Sequence, residues 1–106
     1  MKSGQLKDWY MHNTSHWIGL DVHDVGVYLP DGKPRLLESG MCLTVEPGLY
    51  FCAWRPDVVC PERYANIGIR IEDDILVTDD GPVVLTDKCP CLLYTSDAAD
   101  ESVSGV

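Results

Sequence analysis

The sequence predicts a fold built mainly from short antiparallel strands, with little helix. Helical periodicity is scarce, whereas apolar runs bounded by turn residues recur along the chain. One apolar run covers 41–46, and the longest covers 67–78. A turn at 79–82 follows the longest run and can reverse the chain, so that 83–86 would form the second arm of a hairpin. These observations favour hairpins over helix packing.

The remaining elements follow in chain order. Residues 1–11 show only weak helical periodicity, and segments 16–20 and 21–23 are predicted to be extended around Gly19. The strand at 41–46 is expected to stop at Pro47, because proline cannot donate a hydrogen bond to a sheet. Loops at 29–34 and 53–61 separate the strands, and no internal repeat is present.

Composition excludes several classes of protein. The 106 residues carry a net charge of -9, which argues against binding to nucleic acid or to an anionic membrane surface. No apolar run approaches the ~18 residues that a membrane span requires. Lys7 and Asp8 interrupt any signal-peptide pattern, so the expected location is cytoplasmic. The five cysteines are predicted to be reduced, structural thiols.

The strand that begins at residue 67 carries the first chemical signal. Alternation places Arg70 and Glu72 beside Gly68 on one face, with isoleucines on the other face, where they could fill a core. A carboxylate in a cleft must be paired with a cation or bound to a metal. The alternative is an ordinary Arg70–Glu72 ion pair on an exposed face. The isoleucines concerned are Ile67, Ile69 and Ile71.

Glu46 and the histidines give the second signal. Glu46 follows an apolar strand, where ligands often lie, although it could instead accept a hydrogen bond from a turn amide. His12, His16 and His23 lie in one short stretch, and a lone histidine is more often a core residue than a ligand. Three histidines together with two glutamates favour a divalent metal such as manganese, iron, cobalt or zinc. The residues therefore indicate a metal-assisted hydrolase.

Three motifs resemble a known family in both order and spacing. MHNTSHWIGLDVHDVG, LESGMCLTVEPGLYF and NIGIRIEDDILVT are similar to consecutive motifs of Xaa-Pro aminopeptidases (aminopeptidase P), over residues 11–86. This family is the proline-specific branch of the pita-bread metallopeptidases. The resemblance implies an α+β class and an incomplete pita-bread fold, in which antiparallel strands carry the C-terminal metal ligands. It also implies a proline-containing peptide as substrate and a homo-oligomeric full-length protein.

The resemblance assigns a role to each candidate residue. It implies two manganese ions in a complete site, with other divalent metals possible, held by two aspartates, one histidine and two glutamates. In this sequence His16, Glu46 and Glu72 match three of those ligands. His12 and His23 match substrate-binding histidines, and His23 would also stabilise the transition state. Glu46 would assist proton transfer, and Arg70 would hold the carboxylate of Glu72 in position.

The implied reaction is release of the N-terminal residue from Xaa-Pro peptides by a hydroxide that two metal ions activate. The two aspartate ligands of the family have no match in this sequence, so we expect the chain alone to be inactive. Prolidase, which cleaves dipeptides, is an alternative within the same clan. A non-catalytic pita-bread binding module is an alternative from another class, although it would not need to keep all three ligands.

The chain divides at residue 90. Residues 1–90 are predicted to be a C-terminal fragment of the metallopeptidase catalytic domain. Residues 91–106 depart from the family, and CLLYTSDAAD resembles one reading frame of a transposon-derived sequencing adapter. This tail is therefore predicted to be a library artefact joined to the gene. A fragment of this size would bury little apolar surface, so we expect exposed strand edges and a tendency to associate.

Overall fold

The computed structural model describes residues 4–90, and the predicted tail at 91–106 lies outside the described residues. The described part contains one four-residue helix, α1, near its start, two short 3-10 turns and two antiparallel sheets. The helix agrees with the weak periodicity at 1–11. The elements are α1 (Leu6–Trp9), β1 (Cys42–Val45), β2 (Gly48–Tyr50), β3 (Gly68–Arg70), β4 (Asp73–Thr78) and β5 (Gly81–Val84).

The larger sheet has the strand order β1-β4-β5. Thr78 pairs with Gly81, so a two-residue loop at 79–80 joins β4 to β5. Gly81 has a φ of 111°, a backbone conformation that side chains other than glycine disfavour. The predicted hairpin is therefore confirmed, with its second arm beginning two residues earlier than expected.

The prediction of one strand over 67–78 is wrong, because the segment forms β3 and β4 in separate sheets. β4 pairs with β1, whereas β3 pairs with β2. Pro47, which has no amide hydrogen, lies between β1 and β2 and interrupts the ladder there. The register nevertheless continues across the break, since Val45 pairs with Asp73 and Gly48 pairs with Arg70.

The extended structure predicted for 16–23 is also largely absent. Trp17 forms a single bridge with Leu43, and the chain then bends back on itself. The amide of Asp24 donates to the carbonyl of Trp17 at 3.1 Å, and the amide of Gly19 donates to that of Asp21 at 3.2 Å. These local hydrogen bonds use groups that a second strand partner would need.

The described chain is thin, and its most buried residues are polar. Within residues 4–90 no apolar side chain is buried, whereas Thr44 is 1% exposed and Glu46 is 9% exposed. The prediction that the isoleucines on and beside β3 could fill a core is wrong within this range, because their face is left largely open. Ile67, Ile69 and Ile71 are 52%, 60% and 42% exposed.

Two further observations concern the sequence predictions. Among residues 4–90 there is no helix of the length and hydropathy needed to cross a bilayer. The four cysteines in this range form no disulfide with one another, consistent with the predicted thiols. They are Cys42, Cys52, Cys60 and Cys89.

Candidate metal centre

His16 is held beside the end of β1 by backbone hydrogen bonds. Segment 14–18 runs along the free edge of β1, where the amide of Thr44 donates to the carbonyl of His16 at 3.0 Å. In return the amide of His16 donates to the hydroxyl of Thr44, also at 3.0 Å. The amide of Glu46 donates to the carbonyl of Thr14 at 2.7 Å. These contacts place the imidazole of His16 next to the carboxylate of Glu46.

Glu46 and Glu72 stand opposite each other at the break between the two sheets. Val45 pairs with Asp73 on one side of the break, and Gly48 pairs with Arg70 on the other. The constant register makes Glu46 and Glu72 the facing positions. Like charges that face each other across paired strands destabilise a sheet. The chain therefore places two carboxylates where a cation is required.

Arg70 supplies part of that positive charge. Its Nε lies 3.6 Å from Oε2 of Glu46 and 3.7 Å from Oε2 of Glu72. The side chain of Arg70 is 49% exposed, so each of these ion pairs is weak on its own. Interaction with the hydroxyl of Tyr50, and then with the two carboxylates, raises the pKa of Arg70 above its usual value. Both interpretations of this strand are therefore partly right. Arg70 and Glu72 form an ion pair that is partly exposed, and Arg70 also contacts a second carboxylate, that of Glu46.

The orientation of His16 suits a metal ligand. Its Nδ1 lies 3.0 Å from the carbonyl oxygen of Trp17, which can only accept, so Nδ1 carries the hydrogen. In a neutral ring the lone pair of Nε2 then points at Oε1 of Glu46, 3.1 Å away. That oxygen already accepts the hydroxyl hydrogen of Thr44 at 2.9 Å. Two electron-rich atoms in contact require a proton or a metal cation between them.

The donor set as a whole fits a divalent ion. One ligand atom from each of His16, Glu46 and Glu72 lies within 4.8 Å of the other two. One imidazole and two carboxylates suit manganese, iron, cobalt or zinc. The carbonyl that orients the imidazole is the kind of outer contact that metal-ligating histidines make.

The other predicted residues line a cleft beside these ligands. The cleft has a volume of about 610 Å³ and includes His12, His23 and Arg70. The His23 ring packs edge-on against His16, with ring centroids 4.3 Å apart and an interplanar angle of 78°. Nδ1 of His12 lies 2.6 Å from the carbonyl of Asn13 and therefore donates, which leaves Nε2 to accept from a hydroxyl.

All six predicted site residues therefore lie in one region of the described chain. Three further residues of this region were not predicted from the sequence: Thr44, Tyr50 and Tyr28. Thr44 joins His16 to Glu46, as described above. The hydroxyl of Tyr50 lies 2.8 Å from Nε2 of His12. Tyr28 lines the cleft. Thr44 could have been found from its position, since it alternates onto the same strand face as Glu46.

Comparisons with known proteins identify the family of the chain. Residues 1–79 match metallopeptidase family M24. The chain is 59% identical over 80 residues to the Xaa-Pro aminopeptidase of Escherichia coli (strain K12), covering 76% of this chain and 17% of that protein. This chain therefore spans less than a quarter of the length of that relative.

Solved structures give the same result. Aminopeptidase P from E. coli with the inhibitor Pro-Leu superposes with a TM-score of 0.82 and 46% identity, over 99% of this chain and 23% of that one. Zn-substituted E. coli aminopeptidase P in complex with product has a TM-score of 0.77 and 46% identity, over 99% of this chain and 22% of that one. The predicted fold is confirmed as part of a pita-bread fold, and the chain belongs to metallopeptidase family M24.

Proposed function

We propose that this chain supplies the histidine and the two glutamates of the metal centre of an Xaa-Pro aminopeptidase. The observation that carries the proposal is the pair of facing glutamates, Glu46 and Glu72, with Nε2 of His16 at their side. Two opposed carboxylates cost free energy unless a cation lies between them. The names of the relatives favour aminopeptidase activity over prolidase activity.

The proposed metal is manganese, with two ions in a complete site and zinc as a substitute. A divalent ion lowers the pKa of a bound water toward neutrality and polarises a carbonyl group. In this chain Glu46 has one oxygen facing His16 and the other facing Arg70. It can therefore hold a proton on the side of the cleft while its other oxygen remains a ligand. Arg70 would keep both carboxylates aligned.

The cleft residues are proposed to bind the peptide. His23 lies against His16 and is exposed toward the cleft, so it can donate a hydrogen bond to an oxygen that gains charge. The Nδ1–H of His12 donates to Asn13 and its Nε2 accepts from Tyr50, so both hydrogen bonds fix the ring in the wall of the cleft. A proline-containing peptide is the substrate class that the relatives' names support.

The full-length protein is proposed to differ from this chain in its assembly and in its number of metal ligands. We infer a homo-oligomer, as the resemblance implies, and a cytoplasmic location, as expected from the sequence. We also propose that residues 91–106 do not belong to the enzyme. Two aspartate ligands have no match here, so three side chains from this chain hold one ion weakly and do not build a centre for two. The 106-residue chain is therefore expected to bind metal without peptidase activity.

Calorimetric titration of the 106-residue chain with MnCl2, and separately with ZnCl2, tests the metal centre. His16→Gln, Glu46→Gln and Glu72→Gln should each lower the affinity by at least about tenfold, because each removes a ligand. Glu62→Gln, in an exposed 3-10 turn, and His12→Gln, in the cleft, should leave the affinity unchanged. Equal affinity across all five variants would refute the assigned site.

A peptide assay tests the second part of the proposal. The chain is incubated with a longer peptide and with a dipeptide, each carrying proline at its second position, in the presence of Mn²⁺. We expect no release of the first residue from either peptide. Robust turnover would contradict the expected inactivity, and cleavage of the dipeptide alone would favour prolidase.

A further inference from the structure

The loop that carries His23 is closed by an aromatic pair. We propose that Trp17 and Tyr28 are positioning residues, which hold the imidazole of His23 against that of His16. The inference deepens the proposed function, because His23 is the residue expected to meet the substrate beside the metal. Neither aromatic residue needs to touch the metal for this role.

The two aromatic residues join the ends of the loop. Their rings stack with centroids 5.5 Å apart and an interplanar angle of 11°. The backbone amide of Trp17 donates to the hydroxyl of Tyr28 at 3.0 Å. Inside the loop, the amide of Asp24 donates to the carbonyl of Trp17 at 3.1 Å. Trp17 therefore contacts both the middle and the end of the loop.

Two glycines let the loop pack closely on itself. A Cβ atom on Gly26 would lie 2.0 Å from Cδ1 of Trp17, so this backbone rests directly on the indole ring. A Cβ atom on Gly19 would lie 1.8 Å from a carboxylate oxygen of Asp24. The approach at Gly26 requires a residue without a side chain, because the indole is rigid, whereas at Gly19 the facing group is the end of the flexible Asp24 side chain. The path of the loop thus follows the surface of the indole.

The indole acts through its ring and not through its N–H group. Nε1 of Trp17 is buried, and among residues 4–90 it has no hydrogen-bond partner. An unpaired buried donor costs free energy, so any stabilisation by Trp17 comes from the packing of its ring. Trp17 is also bridged to Leu43 of β1. The loop is therefore anchored to the same strand that leads to Glu46.

His23 depends on this anchor for its position. It is an exposed residue on a segment without helix or strand, yet its ring lies 4.3 Å from that of His16 in an edge-on contact. An exposed side chain on an irregular segment keeps such a contact only if the backbone beneath it is fixed. The stack of Trp17 and Tyr28 provides that fixed backbone.

Nuclear Overhauser effects between labelled histidine rings test the proposal on the full 106-residue chain without metal or peptide. The native chain should show a contact between His16 and His23. Trp17→Leu should lose this contact and shift the ring resonances of His23, whereas Trp17→Phe, which can still stack, should retain it. Trp54→Leu, at a site 75% exposed and outside the loop, should change neither.

The sheet provides an internal reference for folding. The cross-strand contact between Leu43 and Ile75 should persist in each variant. If Trp17→Leu also abolishes the contact between Leu43 and Ile75, the variant Tyr28→Leu is measured in its place. Tyr28→Leu should lose the contact between the His16 and His23 rings while the sheet contact persists. The proposal is overturned if the ring contact survives in a folded variant, or if both leucine variants lose the sheet. Failure of the proposed metal centre would leave these outcomes unchanged, since no metal is present.

Discussion

The hydroxyl of Thr44 donates a hydrogen bond to Oε1 of Glu46 at 2.9 Å, at the most buried point of the described chain. The same hydroxyl accepts the backbone amide of His16 at 3.0 Å. One small side chain thereby connects two proposed ligands that lie 30 positions apart in the sequence. Thr44 is thus a support for the metal centre as well as a part of β1.

Thr44→Val is expected to weaken both the fold and the metal centre. Valine keeps the shape but leaves the amide of His16 without its acceptor, which should lower the free energy of unfolding by about 1–3 kcal/mol. Metal affinity should fall by about tenfold or more, as for other outer contacts of metal ligands. Urea unfolding and manganese titration measure the two effects. Thr14→Val, at an exposed site, is the control, and an equal loss there would contradict the prediction.

Tyr50→Phe should release the ring of His12. Because Nδ1 of His12 donates to the carbonyl of Asn13, the hydroxyl of Tyr50 is the donor to Nε2. Loss of this bond should cost about 1 kcal/mol of stability and shift the Nε2 resonance of His12. Nitrogen-detected histidine spectra and urea unfolding provide the measurements. Tyr64→Phe is the matched control, since the contacts of Tyr64 with Phe51 and Arg63 involve its ring.

The pair formed by Arg55 and Asp57 predicts an acid dependence of stability. Arg55 donates to Asp57, from Nε at 3.0 Å, and this hydrogen bond lowers the pKa of Asp57 below its usual value. A lowered pKa stabilises the fold above the unfolded-state pKa, and the contribution disappears as the pH falls through the folded-state pKa. Arg55→Gln should therefore raise the pKa of Asp57 toward its usual value.

Carboxyl-carbon titration measures that pKa directly. Urea unfolding should show Arg55→Gln to be less stable than the native chain at neutral pH, with a difference that shrinks as the pH falls through the folded-state pKa of Asp57. Arg63→Gln removes a guanidinium that lies over the ring of Tyr64 and should leave the pKa of Asp57 unchanged. A difference in stability that stays constant from neutral to acid would show that the pair does not act through its charge.

Ile69 should contribute to self-association. It is 60% exposed and, with Leu6, Leu49 and Ile71, lines an apolar groove of about 360 Å³. Exposed apolar grooves on strand faces promote association. Ile69→Thr, which keeps a β-branched residue in the strand, should raise the monomer fraction in light scattering at high protein concentration. Val59→Thr, at a site 94% exposed outside the groove, should not.

Local signals were sufficient for the hairpin and for the end of β1. The turn residues at 79–82 and the proline at 47 act on the backbone within a few positions, so their effect can be read from the sequence. The division of 67–78 could not be read in this way. Alternation continues through Ile71 and Glu72, and the interruption comes from Pro47 on the partner strand, a distant position in the sequence.

Residue type and strand position predict Glu46 and Glu72 as candidate ligands, whereas the choice of His16 among three histidines depends on the motifs of the family. His16, Glu46 and Glu72 lie on separate segments, and only strand pairing shows that the two glutamates face each other. The partners of Thr44 and Tyr50 were missed for the same reason, because a hydroxyl has no periodic signature. The isoleucines of β3 were misjudged, since alternation shows which residues share a face but not whether anything covers that face.

The polar character of the buried residues has a thermodynamic consequence. Exposure of apolar surface raises the heat capacity on unfolding, whereas exposure of polar surface lowers it. Since the buried side chains within residues 4–90 are Thr44 and Glu46, this part of the chain should unfold with a small heat-capacity change for its length. Its stability curve should therefore be only weakly curved, and calorimetry should record a small step in heat capacity across the transition.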